Sequence, residues 1–106
     1  MNDTEKKPLD LSELRREIDR IDTDLVSLFA ARMHASAGVA EYKRASGMAV
    51  TDPIREAALL DRVAAMSPAE TADYTRTLYT NILSLSRAYQ HARLGNESPL
   101  SKEIAH

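Results

Sequence analysis

The chain of 106 residues has no cysteine and no tryptophan, one phenylalanine and three glycines. Without cysteine, disulfides, thiol nucleophiles and cysteine-ligated metal sites are excluded. So few aromatics and glycines argue against a packed β-sandwich, and no stretch sustains a two-residue apolar alternation. Net charge is small as well. The 14 basic and 16 acidic side chains leave a formal −2, so no global basic field points to nucleic acid or a membrane surface. No apolar run approaches the roughly 20 residues of a membrane span. Residues 1–9 (MNDTEKKPL) lack the apolar stretch of a secretion signal, and the cytoplasm is the expected location. What is present, 43% hydrophobic and 28% charged residues, suits one helical domain with one modest core.

The pattern predicts an all-α fold with three helices per chain: one long, one short and one medium-long. The first opens at Asp10, with Glu13 completing a capping-box-like pair and Leu9 placed to staple onto Leu14. It meets no breaker until about Arg44, and a turn follows at Ala45-Ser46-Gly47. The second has Asp52 as N-cap and Pro53 at its first position, with Ile54, Leu59, Leu60 and Val63 as its apolar side. The third is announced by Ser67-Pro68-Ala69-Glu70, which reads as a capping box, and runs to about Leu94 before Gly95 at C′. The expected domain is therefore 10–94, between an N-terminal tail (1–9) and a tail or linker (95–106, GNESPLSKEIAH).

The first helix is too long for so small a chain. About 35 residues at 1.5 Å each give roughly 50 Å, against a diameter in the mid-thirties of Å for a compact domain of this size. Leu11, Leu14, Ile18, Ile21, Leu25 and Leu28 recur at alternating steps of three and four, an apolar seam along that helix. A second copy of the chain is the simplest cover for it. A homodimer with paired first helices is the expected architecture, with a disordered or extended monomer as the alternative.

Continued, the same seam reaches Arg32, then Ala35, Val39 and Tyr42. A guanidinium in an apolar seam costs free energy unless something pairs it. Alone, Arg32 would read as a registry device or as a snorkelling side chain with an acidic partner. Lys43, however, lies about 20° around the helix from Arg32 and about 16 Å along it, so both side chains can converge on one ligand. The face between them (Ala35, Ser36, Gly38, Val39, Ala40) is rich in small residues. A mid-helix glycine costs about 1 kcal/mol against alanine, so Gly38 suggests space kept for close packing or for a ligand. Together these features favour a site for a small, multiply anionic molecule.

Arg15 lies about 25 Å from Arg32 along the helix and roughly 100° around it. The two can meet one small ligand only if an antiparallel partner brings Arg15 back over the site. Among Arg16, Glu17, Asp19 and Arg20 it otherwise reads as part of a solvated, ion-paired face. The start of the second helix, Asp52-Pro53-Ile54-Arg55-Glu56, offers free N–H groups and the positive end of a dipole to an oxygen. On the third, Ser86 and Gln90 are i, i+4 neighbours continuing the Tyr79–Leu83 row. His34, His91 and His106 form no metal-ligand or nucleophile–base spacing, and phosphate loops are absent, so no cofactor or metal is expected. Any chemistry must run on positioning and electrostatics.

Arg15, Arg32, Lys43, Asp52, Arg55, Glu56, Ser86 and Gln90, in that order, resemble the active-site pattern of the all-helical (type II) chorismate mutases over roughly residues 10–93. The segment 33–41 (MHASAGVAE) is small and bland by the family's standards, and the loop 45–51 carries no family motif. The resemblance implies rearrangement of chorismate to prephenate on the route to phenylalanine and tyrosine. It also implies an intertwined homodimer whose two sites are each completed by the partner's first helix. By the same resemblance, Arg32 would hold one substrate carboxylate and the partner's Arg15 the other. Lys43 and Gln90 would flank the ether oxygen; Glu56 and the backbone N–H of Asp52 would fix the ring hydroxyl, with Arg55 and Ser86 supporting the carboxylate end. Alternatives on the same fold are an isochorismate pyruvate-lyase and an aminodeoxychorismate mutase. A helical dimerisation module without catalysis is the alternative of a different class.

Overall fold

The computed structural model describes residues 10–95. They form helix α1 (Leu11–Ala45), helix α2 (Pro53–Met66), a 3-10 turn (Ala69–Thr71) and helix α3 (Ala72–Arg93). There is no strand among the described residues, and none of their helices is long and apolar enough to cross a membrane. The chain divides into two units between Arg32 and Met33.

The first unit is the leading part of α1. Asp10 caps it as expected, its Oδ1 accepting from the backbone N–H of Ser12 at 2.9 Å and of Glu13 at 3.4 Å. The Leu9 half of the anticipated staple lies outside the described residues. The seam residues Leu11, Leu14, Ile18, Ile21, Leu25 and Leu28 are all exposed, Leu28 by 66%. Contiguous apolar surface on this scale is unusual for a monomer and characteristic of a surface that meets a partner.

In the second unit α3 is central. Helix α2 packs against it, and the pairs Glu56–Arg87, Asp61–Arg76 and Ser67–Thr75 run in opposite chain order, so α2 and α3 are antiparallel. The end of α1 meets α3 in parallel order through Met33–Ser86, Ser36–Gln90, Glu41–Arg93 and Arg44–Leu94. Among the described residues the buried apolar side chains are few: Ala37 and Ala40 of α1, Val63 of α2 and Leu83 of α3.

In the second unit α1 buries Ala37 and Ala40, while Ala35, Val39 and Tyr42 are exposed. Two expectations need correction. First, Ile54 is 84% exposed and contributes nothing to the α2–α3 core, while Leu59 and Leu60 are half-buried and Val63 is covered. At the first turn of α2, Ile54 lies on the side away from Val63, nine residues and about 180° around the helix.

Second, the Ser67–Glu70 capping box does not form. Ser67 ends α2 instead: its N–H donates to the Ala64 carbonyl, and its hydroxyl donates to Val63 O at 2.8 Å and exchanges a hydrogen bond with Thr75 Oγ1 at 2.8 Å. With that hydroxyl engaged, the chain passes through the 3-10 turn, and α3 starts only at Ala72, without a side-chain cap. At the far end Gly95 does take the left-handed conformation expected at C′ (φ 88°).

Leu83→Ala should lower stability by about 2–4 kcal/mol, because it opens a cavity at the centre of α3. Ile54→Ala should change it by less than about 0.5 kcal/mol. Urea denaturation of both variants measures the contrast, and equal losses would place Ile54 in the core after all.

Candidate active site

Helix α3 presents its polar residues on the row that carries its core. Leu83 is buried, and Ser86, one turn short of Gln90, is only 3% exposed. The Ser86 hydroxyl donates to the sulfur of Met33 at 3.5 Å, a contact to α1. The half-buried Gln90 reaches α1 one turn further on. Its amide nitrogen donates to the carbonyl oxygen of Ser36 at 3.3 Å and to the Ser36 hydroxyl oxygen. A carbonyl oxygen can only accept, so the end of the amide that faces α1 must be the nitrogen. Gln90 is therefore held in one orientation before any ligand arrives.

Lys43 is half-buried and two turns beyond Ser36 on the same helix, about 10 Å along it and about 20° around. Ion pairs among the described residues join Arg20 to Glu17, Arg76 to Asp61, Arg87 to Glu56 and Arg93 to Glu41, and none of these takes Lys43. A half-buried ammonium on the same face of α1 as the residue that anchors the amide suits an oxygen that carries negative charge.

A second layer fixes this end of α1 on α3. Arg93 pairs with Glu41 at 3.0 Å and lies over the Tyr89 ring at 6.0 Å, a cation–π contact. The bonds to Glu41 and to Tyr89 hold the guanidinium's pKa above its usual value. The Tyr89 ring also meets that of His34, with centroids 6.2 Å apart. Arg44 donates to the Leu94 carbonyl at 2.6 Å, occupying one of the acceptors left over at the end of α3. Apart from the Arg93–Tyr89 contact within α3, these contacts join residues about fifty positions apart.

The start of α2 is built as expected. Asp52 Oδ1 accepts from the N–H of Arg55 at 3.0 Å, with Pro53 in the first turn, and the Glu56 N–H donates to the Asp52 carbonyl at 3.0 Å. The Arg55 side chain is exposed and Glu56 half-buried. The Glu56 carboxylate is not left to dipole chemistry alone: its Oε1 accepts from Arg87 Nη1 at 2.6 Å. Within the first unit, Arg15 is exposed and Arg32 is half-buried.

The structure thus brings Gln90 to α1 and Glu56 to α3. Two participants were missing from the sequence reading, Ser36 and Arg87. Each meets its partner across 54 and 31 residues respectively, a separation at which no helical periodicity operates. The glycine at 38 faces open space, since a Cβ built there would touch nothing within 4 Å. Packing among the described residues does not explain it.

The Arg87–Glu56 pair is testable by a double-mutant cycle on stability with Arg87→Ala and Glu56→Ala. With both side chains partly solvated (39% and 30% exposed), a coupling of about 0.5–1 kcal/mol is expected, falling at high salt. Zero coupling at low salt would show that the pair does not persist in solution.

Residues 14–91 match the family model described as chorismate mutase type II. Over 53 residues the chain is 40% identical to the chorismate mutase of Methanocaldococcus jannaschii, a stretch covering 50% of this chain and 54% of that protein. Over 88 residues it is 33% identical to the T-protein of Haemophilus influenzae, covering 83% of this chain and 22% of that one. The chain therefore spans about half the length of the first relative and about a fifth of the second. No solved structure gives a significant match. The matched segment contains Arg15, Arg32, Lys43, Asp52, Arg55, Glu56, Ser86 and Gln90 and most of all three helices. On that match, the chain belongs to the type II chorismate mutase family.

Proposed function

We propose that this chain converts chorismate to prephenate as an intertwined homodimer, in the cytoplasm and without a cofactor. The observation that carries this reading is the family match through residues 14–91, a segment that holds every polar position singled out from the sequence. The anchored Gln90 amide and a Lys43 with no ion pair among the described residues supply the chemistry the reaction needs.

The rearrangement breaks a C–O bond and forms a C–C bond within one molecule, with no nucleophile and no proton transfer. Two contributions can accelerate it. Arg32 binds one carboxylate and the partner subunit's Arg15 the other, with Arg55 and Ser86 supporting the carboxylate end. This selects the compact conformer in which the reacting carbons already approach. As the C–O bond stretches, negative charge grows on the ether oxygen. Lys43 and Gln90 flank that oxygen and stabilise it more in the transition state than in the ground state. Glu56 gives one oxygen to Arg87 and keeps the other for the ring hydroxyl, which the Asp52 N–H also fixes. A neutral amide at position 90 needs no acid to become a donor. In this reading the exposed seam of α1 is the dimer contact, and α1 is long because it contributes to two sites.

The purified full chain should consume chorismate in an ultraviolet assay and yield prephenate with no added metal or nucleotide. Only the uncatalysed rate would sink the proposal. Parallel assays on isochorismate and aminodeoxychorismate separate the sister activities. Lys43→Ala should reduce kcat by about two orders of magnitude or more with the fold intact, because it removes a transition-state contact. A near-normal kcat would exclude Lys43 from the mechanism.

The shared site has its own test. When Arg15→Ala and Arg32→Ala subunits are mixed, heterodimers should regain one intact site of two. No recovery after verified subunit exchange would mean that the two arginines do not serve a common ligand.

A further inference from the structure

We propose that Ser36 is a positioning residue for Gln90, holding its amide so that one N–H is engaged by α1 and the other is presented to the ligand beside Lys43. The inference rests on the proposed mutase reading and adds to it a residue that none of the eight polar positions includes. Gln90 Nε2 meets two acceptors on the same residue, the Ser36 hydroxyl and the Ser36 backbone carbonyl at 3.3 Å; sharing one N–H between them as a three-centre bond leaves the second N–H for the ligand. A glutamine amide free to turn over would present its carbonyl oxygen as readily as its nitrogen. Next to an ether oxygen gaining negative charge, that flipped form would repel. The Ser36 carbonyl sets oxygen against oxygen in the flipped amide, and the hydroxyl, as a second acceptor, holds the nitrogen in place, so the two together fix the donor orientation in advance.

Packing does not ask for a serine here. Ser36 lies between Ala35 and Ala37 in a helix whose covered residues on this stretch are Ala37 and Ala40. Alanine is the better helix former, and a mid-helix serine hydroxyl competes for backbone carbonyls. The contact is also in the right register, since Ser36 stands about 20° around α1 from Lys43 and two turns before it. A ligand atom beside Lys43 is then approached by an ammonium from α1 and an amide from α3, with Ser36 setting the second.

The test is Ser36→Ala and Ser36→Thr, each made in the unaltered chain and in Gln90→Met. Ser36→Ala should lower kcat by about 3- to 10-fold, the worth of one hydrogen bond, with KM within about twofold. Its thermal midpoint should stay level or rise, which separates positioning from folding. Ser36→Thr keeps the hydroxyl and should recover most of the rate. In the Gln90→Met background, Ser36→Ala should have no further effect.

Unchanged kcat in Ser36→Ala, or the same fractional loss in both backgrounds, would overturn the proposal while leaving the mutase reading intact. Failure of the mutase reading looks different: every protein, including the unaltered chain, would show only the uncatalysed rate. The Gln90 side-chain amide resonances give a readout that needs no turnover. Two well-separated, slowly exchanging protons are expected, and in Ser36→Ala, which loses the hydroxyl contact but keeps the backbone carbonyl, they should shift part of the way towards free-amide positions and exchange faster. Free-amide positions in the unaltered chain would overturn the contact itself.

Discussion

Everything the second unit can do depends on the register of α1 against α3, and polar contacts set that register. Where the two helices meet, the covered side chains of α1 are only Ala37 and Ala40. Alanines bury little area and interlock weakly, so apolar packing alone would leave one helix free to slide along the other. Met33–Ser86, Ser36–Gln90, Glu41–Arg93 and Arg44–Leu94 form a graded ladder that a slip of one turn would break at every rung. Each exposed rung is worth little by itself. Four in series define a single position, and that position decides which face of α1 stands opposite Gln90.

Helix α1 thereby presents two separate surfaces. One, through Ala37 and Ala40, belongs to the chain's own core. The other is the exposed seam from Leu11 to Leu28, which no described residue of its own unit covers. An uncovered apolar seam of this length is a poor design for a lone small domain and a reasonable one for a chain that shares its core. The proposed dimer uses the second face, and the open space at Gly38 falls within the stretch rich in small residues. Charge follows the same division: arginines paired with acids fasten helices together, while the half-buried Lys43 joins none of those pairs.

Local signals were readable wherever local physics decided. Asp52 caps α2 through its own carboxylate and Pro53 follows it, because both act within one turn. Gly95 ends α3 in the left-handed conformation for the same reason. The Ser67–Glu70 pattern misled because a serine has one hydroxyl and two helix ends competed for it. The end of α2, with Thr75 across from it, took it. Ile54 misled because a position two residues into a helix counts as core only if its side of the helix meets a neighbour, and α2 meets α3 with the opposite side.

The eight polar positions were visible in order, yet their partners were not. Spacing along one helix locates side chains on a common face, but Ser36 with Gln90 and Glu56 with Arg87 are joined across helices. By itself the sequence determined three helices, most of their ends and an apolar seam longer than one small domain needs. These follow from propensity, capping and helical period, all of which act within a few residues. Only the tertiary structure decided which face of α1 the chain buries, that Gln90 is anchored by Ser36, and that Glu56 is shared with Arg87. Those outcomes depend on how helices are laid side by side, and that arrangement is a property of the whole packing, which no single segment contains.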